Sequence, residues 1–338
     1  MSVLLEVNNL EMHFPIRSGL LLRQTGTVRA VNGVNFSLNA GETLGVVGES
    51  GCGKSTVART VMRLYEPTGG NIAFQGENIA RMHGQDLRWF YRNAQMIFQD
   101  PFSSLNPRMT VHQILDAPLR VHHVASAKTR SKMVKELLEQ VRLGSWAIDR
   151  YPHEFSGGQR QRIAIARAIA LKPKLVVADE PVSALDVSVQ SQVLNLMKDL
   201  QEKMKMAYLF ISHNLAVVKH VSDVIAVMYL GRVMEYASRD ELFAKPSHPY
   251  TIALLAANPV PGTGKKTNRL LLKGDVPSPV NLPTGCVFHP RCPYADERCK
   301  REVPIYRPLQ PSIAGAQHQV ACHYSEEIQR GTIQAKEF

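Results

Sequence analysis

Short apolar runs alternate along the chain with segments in which apolar residues recur at helical spacing. Uninterrupted apolar runs of about five residues are typical of strands buried on both faces of a parallel sheet. The segment after the first run, residues 57–64, has the helical spacing. This alternation predicts an α/β fold with a parallel sheet. The predicted buried strands are residues 43–47, 94–98, 175–178 and 208–212.

The same pattern divides the chain into a main domain, a linker and a C-terminal extension. The main domain is predicted over residues 1–257 and begins with an antiparallel β part that precedes and surrounds the first parallel strand. A mostly helical subdomain is expected within it at about residues 85–171. Residues 258–283 are rich in Pro, Gly and Lys, which indicates a linker. Residues 284–338 are then the extension.

Composition adds an excess of positive charge to this picture. The chain has 338 residues and a formal net charge of +11, which raises the question of nucleic-acid binding. The basic residues are spread out, however, and only Arg88-Trp89-Phe90-Tyr91-Arg92 combines them with aromatic side chains. No apolar run reaches the ~18 residues of a membrane helix, and the first ten residues lack a signal-peptide pattern. Any transport function would therefore need separate membrane subunits.

A glycine-rich sequence follows the first predicted strand and matches the pattern of a phosphate-binding loop. Its glycines let backbone N–H groups surround phosphates, and the next helix adds the partial positive charge of its N-terminus. We expect Lys54 to reach the β- and γ-phosphates and Ser55 to ligate magnesium. The Cys52 thiol, at a helix N-terminus, is expected to have a lowered pKa and to react quickly. The predicted ATP-binding residues of the loop are Gly48, Glu49, Ser50, Gly51, Cys52, Gly53, Lys54, Ser55 and Thr56.

Polar side chains stand at the ends of three other predicted strands. Asp179 and Glu180 end one strand, and Gln99 and His213 follow two others. Ligands bind at the carboxyl ends of parallel strands, so Asp179 is expected to orient magnesium and Glu180 to accept a proton from the attacking water. Gln99 could ligate magnesium or sense the γ-phosphate, and His213 could touch that phosphate. Each residue alone has a common structural explanation, and only the series favours a nucleotide site.

The sequence Phe155-Ser156-Gly157-Gly158-Gln159 lies between the phosphate loop and the Asp-Glu pair. Motifs in this order resemble those of the ATP-binding subunits of ABC transporters, with Phe155 in place of the more usual Leu. The resemblance implies that two subunits dimerise head to tail. It also implies that Ser156, Gly157, Gly158 and Gln159 cover the ATP held by the partner. A helix predicted at residues 161–171 would point its N-terminus at that γ-phosphate.

The resemblance assigns the remaining site residues. It implies that Lys54, Glu180 and His213 are catalytic, and that Ser55, Gln99 and Asp179 serve magnesium. Phe14 would stack on adenine, although a core aromatic is an equal alternative. The loop that crosses the dimer interface would be Ser183, Ala184, Leu185 and Asp186. The implied fold is a phosphate-loop ABC ATPase core with an antiparallel β part, a helical subdomain and a cysteine-rich C-terminal extension.

Longer strings at residues 98–107, 151–154 and 181–190 resemble the peptide/nickel importers, especially the second ATPase subunit of bacterial dipeptide and oligopeptide permeases. This likeness implies an ATPase that energises peptide uptake from the cytoplasmic face of the inner membrane. The implied partners are a paralogous ATPase subunit, two membrane permeases and a periplasmic binding protein. The positive charge would then face cytoplasmic loops and anionic lipid, or be an incidental solvated surface. The cargo stays open among dipeptides, oligopeptides, nickel complexes and glutathione.

The alternative is a soluble ABC ATPase that acts on nucleic acid or the ribosome. Repair and condensin types need a long coiled coil between the phosphate loop and the signature, and residues 85–154 have neither the length nor the heptads for one. Ribosome-acting types usually carry two cassettes in one chain. A catalytically inactive subunit is opposed by the intact Lys54, Asp179, Glu180 and His213. We therefore expect an importer ATPase that binds no nucleic acid.

The extension contains four of the five cysteines, namely Cys286, Cys292, Cys299 and Cys322. So many thiols in a segment with little apolar content suggest a cross-link that replaces a core. Disulfides suit a reduced compartment poorly, and the spacings are not those of zinc sites. Four thiolates suit a [4Fe–4S] cluster, which some relatives of the resembled family carry in this extension. Zinc with His289, His318 or His323, and plain structural thiols, remain open alternatives.

Overall fold

The computed structural model of the protein describes residues 2–19, 23–257, 274–309 and 318–336. Most of the predicted linker, at residues 258–273, lies outside these ranges. The strands are β1 Val3–Ser18, β2 Arg23–Asn39, β3 Thr43–Val47, β4 Gly69–Phe74, β5 Glu77–Asn78, β6 Ala94–Ile97, β7 Leu175–Asp179, β8 Ala207–Ile211, β9 Val224–Tyr229, β10 Arg232–Ser238, β11 Arg307–Pro308 and β12 Gln319–Val320. The helices are α1 Lys54–Val61, α2 Gly84–Asn93, α3 Pro101–Ser104, α4 Val111–Val121, α5 Ala127–Gln140, α6 Gly157–Ile169, α7 Val187–Met204, α8 Leu215–Val221, α9 Arg239–Ala244, α10 Pro249–Ala257, α11 Glu297–Arg301 and α12 Ser325–Arg330.

Two sheets form the main domain. The larger sheet has the order β11-β12-β10-β9-β3-β8-β7-β6, and its five strands from β9 to β6 run parallel to one another. Strands β3, β7, β8 and β9 are buried along their whole length, as the apolar runs predict for a sheet covered on both faces. The smaller sheet is antiparallel in the order β2-β1-β4-β5. The parallel order brings the loops after β3, β6, β7 and β8 to one edge.

The helical subdomain lies between β6 and β7 and consists of α3 to α6. Its helices share a core that includes Leu115, Leu119, Val134 and Leu138. The predicted range of about 85–171 started too early, because α2 and β6 belong to the main domain. Strand β6 pairs with β7 in the large sheet, and the ring of Phe90 in α2 packs 5.3 Å from that of Phe74 in the antiparallel sheet.

The C-terminal extension packs on the edge of the large sheet. Strand β12 pairs with β10, and β11 pairs with β12. The fully buried carboxylate of Glu235 in β10 accepts hydrogen bonds from the backbone N–H groups of Ser247 and His248 and from His318 Nε2 at 2.8 Å. Phe288 packs against Tyr229 and Tyr250 of the main domain. The extension thus uses main-domain residues to bury its few apolar side chains.

Candidate nucleotide site

The phosphate loop leaves β3 and ends at α1. Lys54 is buried, and its Nζ donates to the carbonyl oxygens of Gly48 at 2.8 Å and Glu49 at 2.9 Å, so the ammonium lies inside the loop. Gly53 has φ +104°, and a Cβ there would lie 2.1 Å from the carbonyl oxygen of Ala30. Only glycine fits this position. The predicted turn and helix are therefore present, with the basic side chain at the centre of the loop.

Ser55 and Asp179 meet where the loop approaches the end of β7. Ser55 Oγ donates to Asp179 Oδ1 at 2.8 Å. Asp179 is 1% exposed, and its Oδ2 has no hydrogen-bond partner among the described residues. Burial raises the pKa of this carboxyl above 3.8. A hydroxyl beside a buried carboxylate with an unused oxygen is a donor set that fits magnesium.

Gln99, Glu180 and His213 converge on one carboxylate oxygen. Gln99 Nε2 donates to Glu180 Oε2 at 3.1 Å, and His213 Nδ1 lies 3.1 Å from the same atom. Glu180 has a positive φ of 47°, and its N–H donates to the carbonyl of Ile211 at the end of β8. These side chains come from the loops after β6, β7 and β8. The parallel topology thus brings together three polar residues that the sequence separates.

Phe14 lies in β1 opposite Val28 of β2. Its half-buried ring meets the ring of Tyr65 edge-on, with centroids 5.4 Å apart. It also packs against the core below the antiparallel sheet. This contact is compatible with the core interpretation, and stacking of Phe14 on adenine stays a prediction.

The signature motif forms the start of α6. Ser156 Oγ accepts from the N–H of Gln159 at 3.4 Å, and the Gln159 side chain accepts from the N–H of Ser156 at 3.0 Å, which is a capping box. The helix therefore begins at Gly157, whereas the predicted start was residue 161. The difference arises because Ser156 caps the helix before the predicted start. Phe155 is buried and stacks on Trp146 with centroids 5.6 Å apart.

The predicted interface loop, residues 183–186, lies between Glu180 and the signature. Ser183 Oγ donates to the carbonyl of Glu180 at 3.1 Å. At the other end, a Cβ on Gly157 would lie 3.4 Å from Leu185, and a Cβ on Gly158 would lie 2.5 Å from Val189 in α7. Ser183 of this loop thus bonds to Glu180, and Leu185 lies next to Gly157 of the signature.

Cys52 differs from its prediction. The thiol is 1% exposed, and burial raises its pKa although Lys54 Nζ lies 3.8 Å from its Sγ. The expectation of a lowered pKa was wrong, and the quick reaction inferred from it loses its basis. The side chain points into the core below the loop, so desolvation outweighs the helix N-terminus.

Glu49 reveals a contact that the sequence does not predict. Its carboxylate accepts two hydrogen bonds from Arg291 of the extension, at 2.7 and 3.1 Å. Its N–H donates to Tyr250 Oη at 2.9 Å. The side chain of this loop residue therefore faces the extension. No local pattern could have indicated a pair separated by 242 positions.

The four cysteines of the extension line one small cavity, together with Phe288, Tyr294 and Tyr324. Burial raises the pKa of each thiol, that of Cys322 to about 12. Within the described ranges, however, no group of three His, Cys, Asp or Glu residues has the arrangement that would hold a single metal ion. His318 bonds to Glu235 and His323 to the carbonyl of Glu302. His289 and His323 line the same cavity as the cysteines, so zinc held by thiolates and one of these two histidines stays an alternative.

No helix in the described part of the chain is long and apolar enough to cross a membrane. The site and fold together define an ABC-type ATPase: residues 31–183 match the family described as ABC transporter, and residues 234–299 match that described as Oligopeptide/dipeptide transporter, C-terminal region. The dimeric structure of the ATP-binding cassette MJ0796 bound to ADP and Pi is similar, with a TM-score of 0.62 and 26% identity over 70% of this chain and 98% of that one.

Relatives that match over nearly their full length show which kind of ABC-type ATPase this chain is. The oligopeptide transport ATP-binding protein AppF of Bacillus subtilis is 54% identical over 95% of this chain and 97% of its own length. The di/tripeptide transport ATP-binding protein DppF of Pseudomonas aeruginosa is 48% identical over 97% of this chain and 99% of its own. The chain belongs to the family of ATP-binding subunits of peptide ABC transporters, which confirms the resemblance drawn from its motifs.

Proposed function

We propose that this chain hydrolyses ATP to energise the uptake of dipeptides or oligopeptides through separate membrane subunits. The observation that carries the proposal is the convergence of Gln99 and His213 on Glu180, beside the Ser55–Asp179 pair. A phosphate loop with an adjacent carboxylate and imidazole is suited to activating water against a γ-phosphate. The assignment of peptides as the cargo rests on the names of the relatives given above. None of them supports the nucleic-acid alternative.

In this proposal each residue acts on bound Mg-ATP. Lys54 would exchange its bonds to the loop carbonyls for bonds to the β- and γ-phosphates, while Ser55, Asp179 and Gln99 are the residues that would hold magnesium. Glu180 accepts the proton of the attacking water. His213 orients Glu180 and contacts the γ-phosphate. Magnesium supplies charge neutralisation for the phosphoryl group when it is bound.

We infer that the functional unit is a head-to-tail pair with a paralogous ATPase. The N–H groups at the start of α6 are exposed around Ser156 and Gly157, and Gln159 and Ser156 cap each other. The capping box satisfies the N–H groups of Ser156 and Gln159, while the partial positive charge of the helix N-terminus is still directed at an exposed surface, which suits a phosphate. The signature would cover the partner's ATP, with residues 183–186 in the interface. Closing and reopening of the pair would then change the conformation of two membrane permeases, which the pair contacts at the cytoplasmic face of the inner membrane. A periplasmic binding protein would deliver the substrate to these permeases.

We also propose that Cys286, Cys292, Cys299 and Cys322 hold a [4Fe–4S] cluster. Three observations support the fit: the thiols share one cavity, the Tyr324 N–H donates to Cys322 Sγ at 3.4 Å, and the cavity is buried. Buried thiols keep their protons unless a cation compensates the thiolates, and a cluster provides that compensation. Four ligands around a multi-atom cluster do not need the close grouping that a single ion requires. Zinc and structural thiols are the remaining alternatives.

Uptake by cells that carry the chain or its Glu180→Gln variant tests the transport proposal. Labelled dipeptide and pentapeptide should enter only with the unmodified chain, and the chain should copurify with two hydrophobic membrane proteins and a second ATPase. Competition by glutathione and by a nickel complex separates those cargoes. Unchanged peptide uptake with Glu180→Gln, or copurification with ribosomes and no membrane protein, would overturn the proposal.

A further inference from the structure

Among the described residues, an ion pair between Arg291 and Glu49 joins the C-terminal extension to the phosphate loop. The Arg291 side chain is 7% exposed and that of Glu49 25% exposed. The guanidinium gives two N–H groups to the two carboxylate oxygens, at 2.7 and 3.1 Å. Glu49 holds the pKa of Arg291 well above its usual value. A two-bond pair of this kind has a fixed orientation as well as a favourable charge.

All three polar groups of Glu49 are engaged. The carboxylate is held by Arg291, the N–H donates to Tyr250 Oη, and the carbonyl oxygen accepts from Lys54 Nζ. Two of these three contacts come from residues C-terminal to strand β9, namely Tyr250 and Arg291. Since Glu49 follows Gly48 directly, its position sets the entrance of the loop.

We propose that Arg291 is a positioning residue of the ATP site. It acts through Glu49 in two ways. It fixes the first turn of the loop, so that the backbone N–H groups and Lys54 are arranged before ATP arrives. It also neutralises a carboxylate that would otherwise repel the polyphosphate, an effect that is strong in a partly buried site.

Screening of the Glu49 charge predicts a direction of change in ATP affinity. Simple attachment of the extension predicts no such change. If the pair only attaches the extension, removal of either partner should lower stability and leave ATP affinity unchanged. If Arg291 screens Glu49, removal of Arg291 alone should weaken ATP binding, because an unpaired carboxylate is left at the loop. Removing the Glu49 charge as well should restore part of the affinity. A strong positive coupling between the two substitutions is therefore expected.

The chain offers a matched control in the pair of Arg307 and Glu326. This pair also joins a guanidinium to a carboxylate by two hydrogen bonds, the second at 2.7 Å. It lies within the extension, between β11 and α12. Its loss perturbs the extension without touching the loop.

The experiment compares Arg291→Met, Glu49→Gln, the double variant, Arg291→Lys and Arg307→Met in the full-length chain. A non-hydrolysable ATP analogue with magnesium is titrated by calorimetry, and thermal unfolding is followed without nucleotide. KM and kcat are measured in the assembled transporter. We expect Arg291→Met to weaken analogue binding and raise KM about tenfold with kcat changed little. Glu49→Gln should weaken analogue binding less than Arg291→Met does, because it removes the carboxylate charge together with its partner's role, and the double variant should regain part of the loss.

Arg291→Lys keeps the charge and should retain most of the affinity, which keeps the test valid if Arg291→Met does not fold. Arg307→Met should lower the melting temperature and leave analogue binding unchanged. The proposal fails if Arg291→Met and Arg307→Met both reduce only the melting temperature. It also fails if the double variant binds the analogue no better than Arg291→Met.

Discussion

His213 Nδ1 lies 3.1 Å from Glu180 Oε2, and the two residues come from the ends of adjacent strands β7 and β8. The imidazole is more than half exposed, whereas the carboxylate is largely buried. His213 therefore holds Glu180 from the solvent side while Gln99 holds it from the side of β6. These two contacts fix the orientation of the carboxylate, which reduces reorganisation in the role of general base proposed for Glu180.

The Glu180→Gln variant should bind ATP and fail to hydrolyse it. Glutamine keeps the shape and the contacts to Gln99 and His213 but cannot accept the proton of the attacking water. Turnover is expected to fall by about 10²- to 10⁴-fold, the usual contribution of a general base. Phosphate release from the assembled transporter and ATP retention in the closed pair measure this. Hydrolysis at the unmodified rate would remove Glu180 from its role.

The His213→Ala variant should separate catalysis from stability. Because the imidazole is exposed, its loss should change the free energy of unfolding by less than about 0.5 kcal/mol. The hydrolysis rate should nevertheless fall at least about tenfold, since Glu180 loses its orientation and the phosphate loses a donor. His220→Ala is the matched control, because His220 is also exposed and lies on the neighbouring helix α8. Equal rates for the two variants would contradict the role of His213.

The raised pKa of Asp179 predicts that folding stability and magnesium binding change with pH in a defined direction. Its pKa is raised by burial, so the folded chain keeps this proton at pH values where the unfolded chain has lost it. Without magnesium, the contribution of Asp179 to stability is greatest below 3.8 and is lost as the pH rises through the higher folded pKa. Magnesium needs the carboxylate, so its binding in the presence of ATP should weaken as the pH falls through the same interval.

Asp179→Asn should remove both effects. Its amide oxygen can still accept from Ser55, so we expect the magnesium-free variant to be more stable than the unmodified chain at neutral pH, because the cost of burying the carboxylate charge is removed. It should show no stabilisation by magnesium added with ATP. Chemical denaturation at several pH values, with and without magnesium, measures this. A less stable variant that still responds to magnesium would argue against the assignment.

Two adjacent glycines allow the signature to be tested without confusing packing with function. At Gly157 an added Cβ makes an ordinary contact with Leu185, whereas at Gly158 it lies 2.5 Å from Val189. Gly157→Ala should therefore keep the melting temperature of this chain, and Gly158→Ala should lower it. In the assembled pair, Gly157→Ala should weaken ATP binding at the partner's Lys site more than at Lys54. Equal loss at both sites would contradict the head-to-tail arrangement.

The cysteine site can be tested by composition. Anaerobically purified chain should contain about four iron and four sulfide per molecule if the four thiols hold one cluster. Cys292→Ser should lower both contents and destabilise the extension, whereas Cys52→Ser should leave both unchanged. Zinc without sulfide would favour the alternative metal. Absence of iron, sulfide and zinc would leave structural thiols.

The burial of Cys52 can be tested by the rate at which its thiol is alkylated. Its buried thiol, with a raised pKa, should react slowly in the folded chain, so alkylation there reports opening of the phosphate loop. Labelling faster than that of a free thiol at the same pH would contradict the burial.

The local motifs of the site could be predicted because each depends on a few consecutive residues. Gly53 must be glycine for a backbone turn with φ +104°, and the apolar run before Asp179 has to be a buried strand. The start of α6 was misplaced because the Ser156–Gln159 capping box lies inside the signature and two glycines usually discourage a helix interior. The extent of the helical subdomain was overestimated because α2 and α4 have the same kind of periodicity.

The sequence by itself determined the family, the phosphate loop, the order of motifs and the strands that end at them, since these are properties of short segments with fixed spacing. Tertiary structure alone decided which distant side chains meet. It brought Gln99 and His213 to one oxygen of Glu180, turned Cys52 into the core, and joined Arg291 to Glu49. Such contacts depend on the packing of sheets and on where the extension lies, and no local pattern records either.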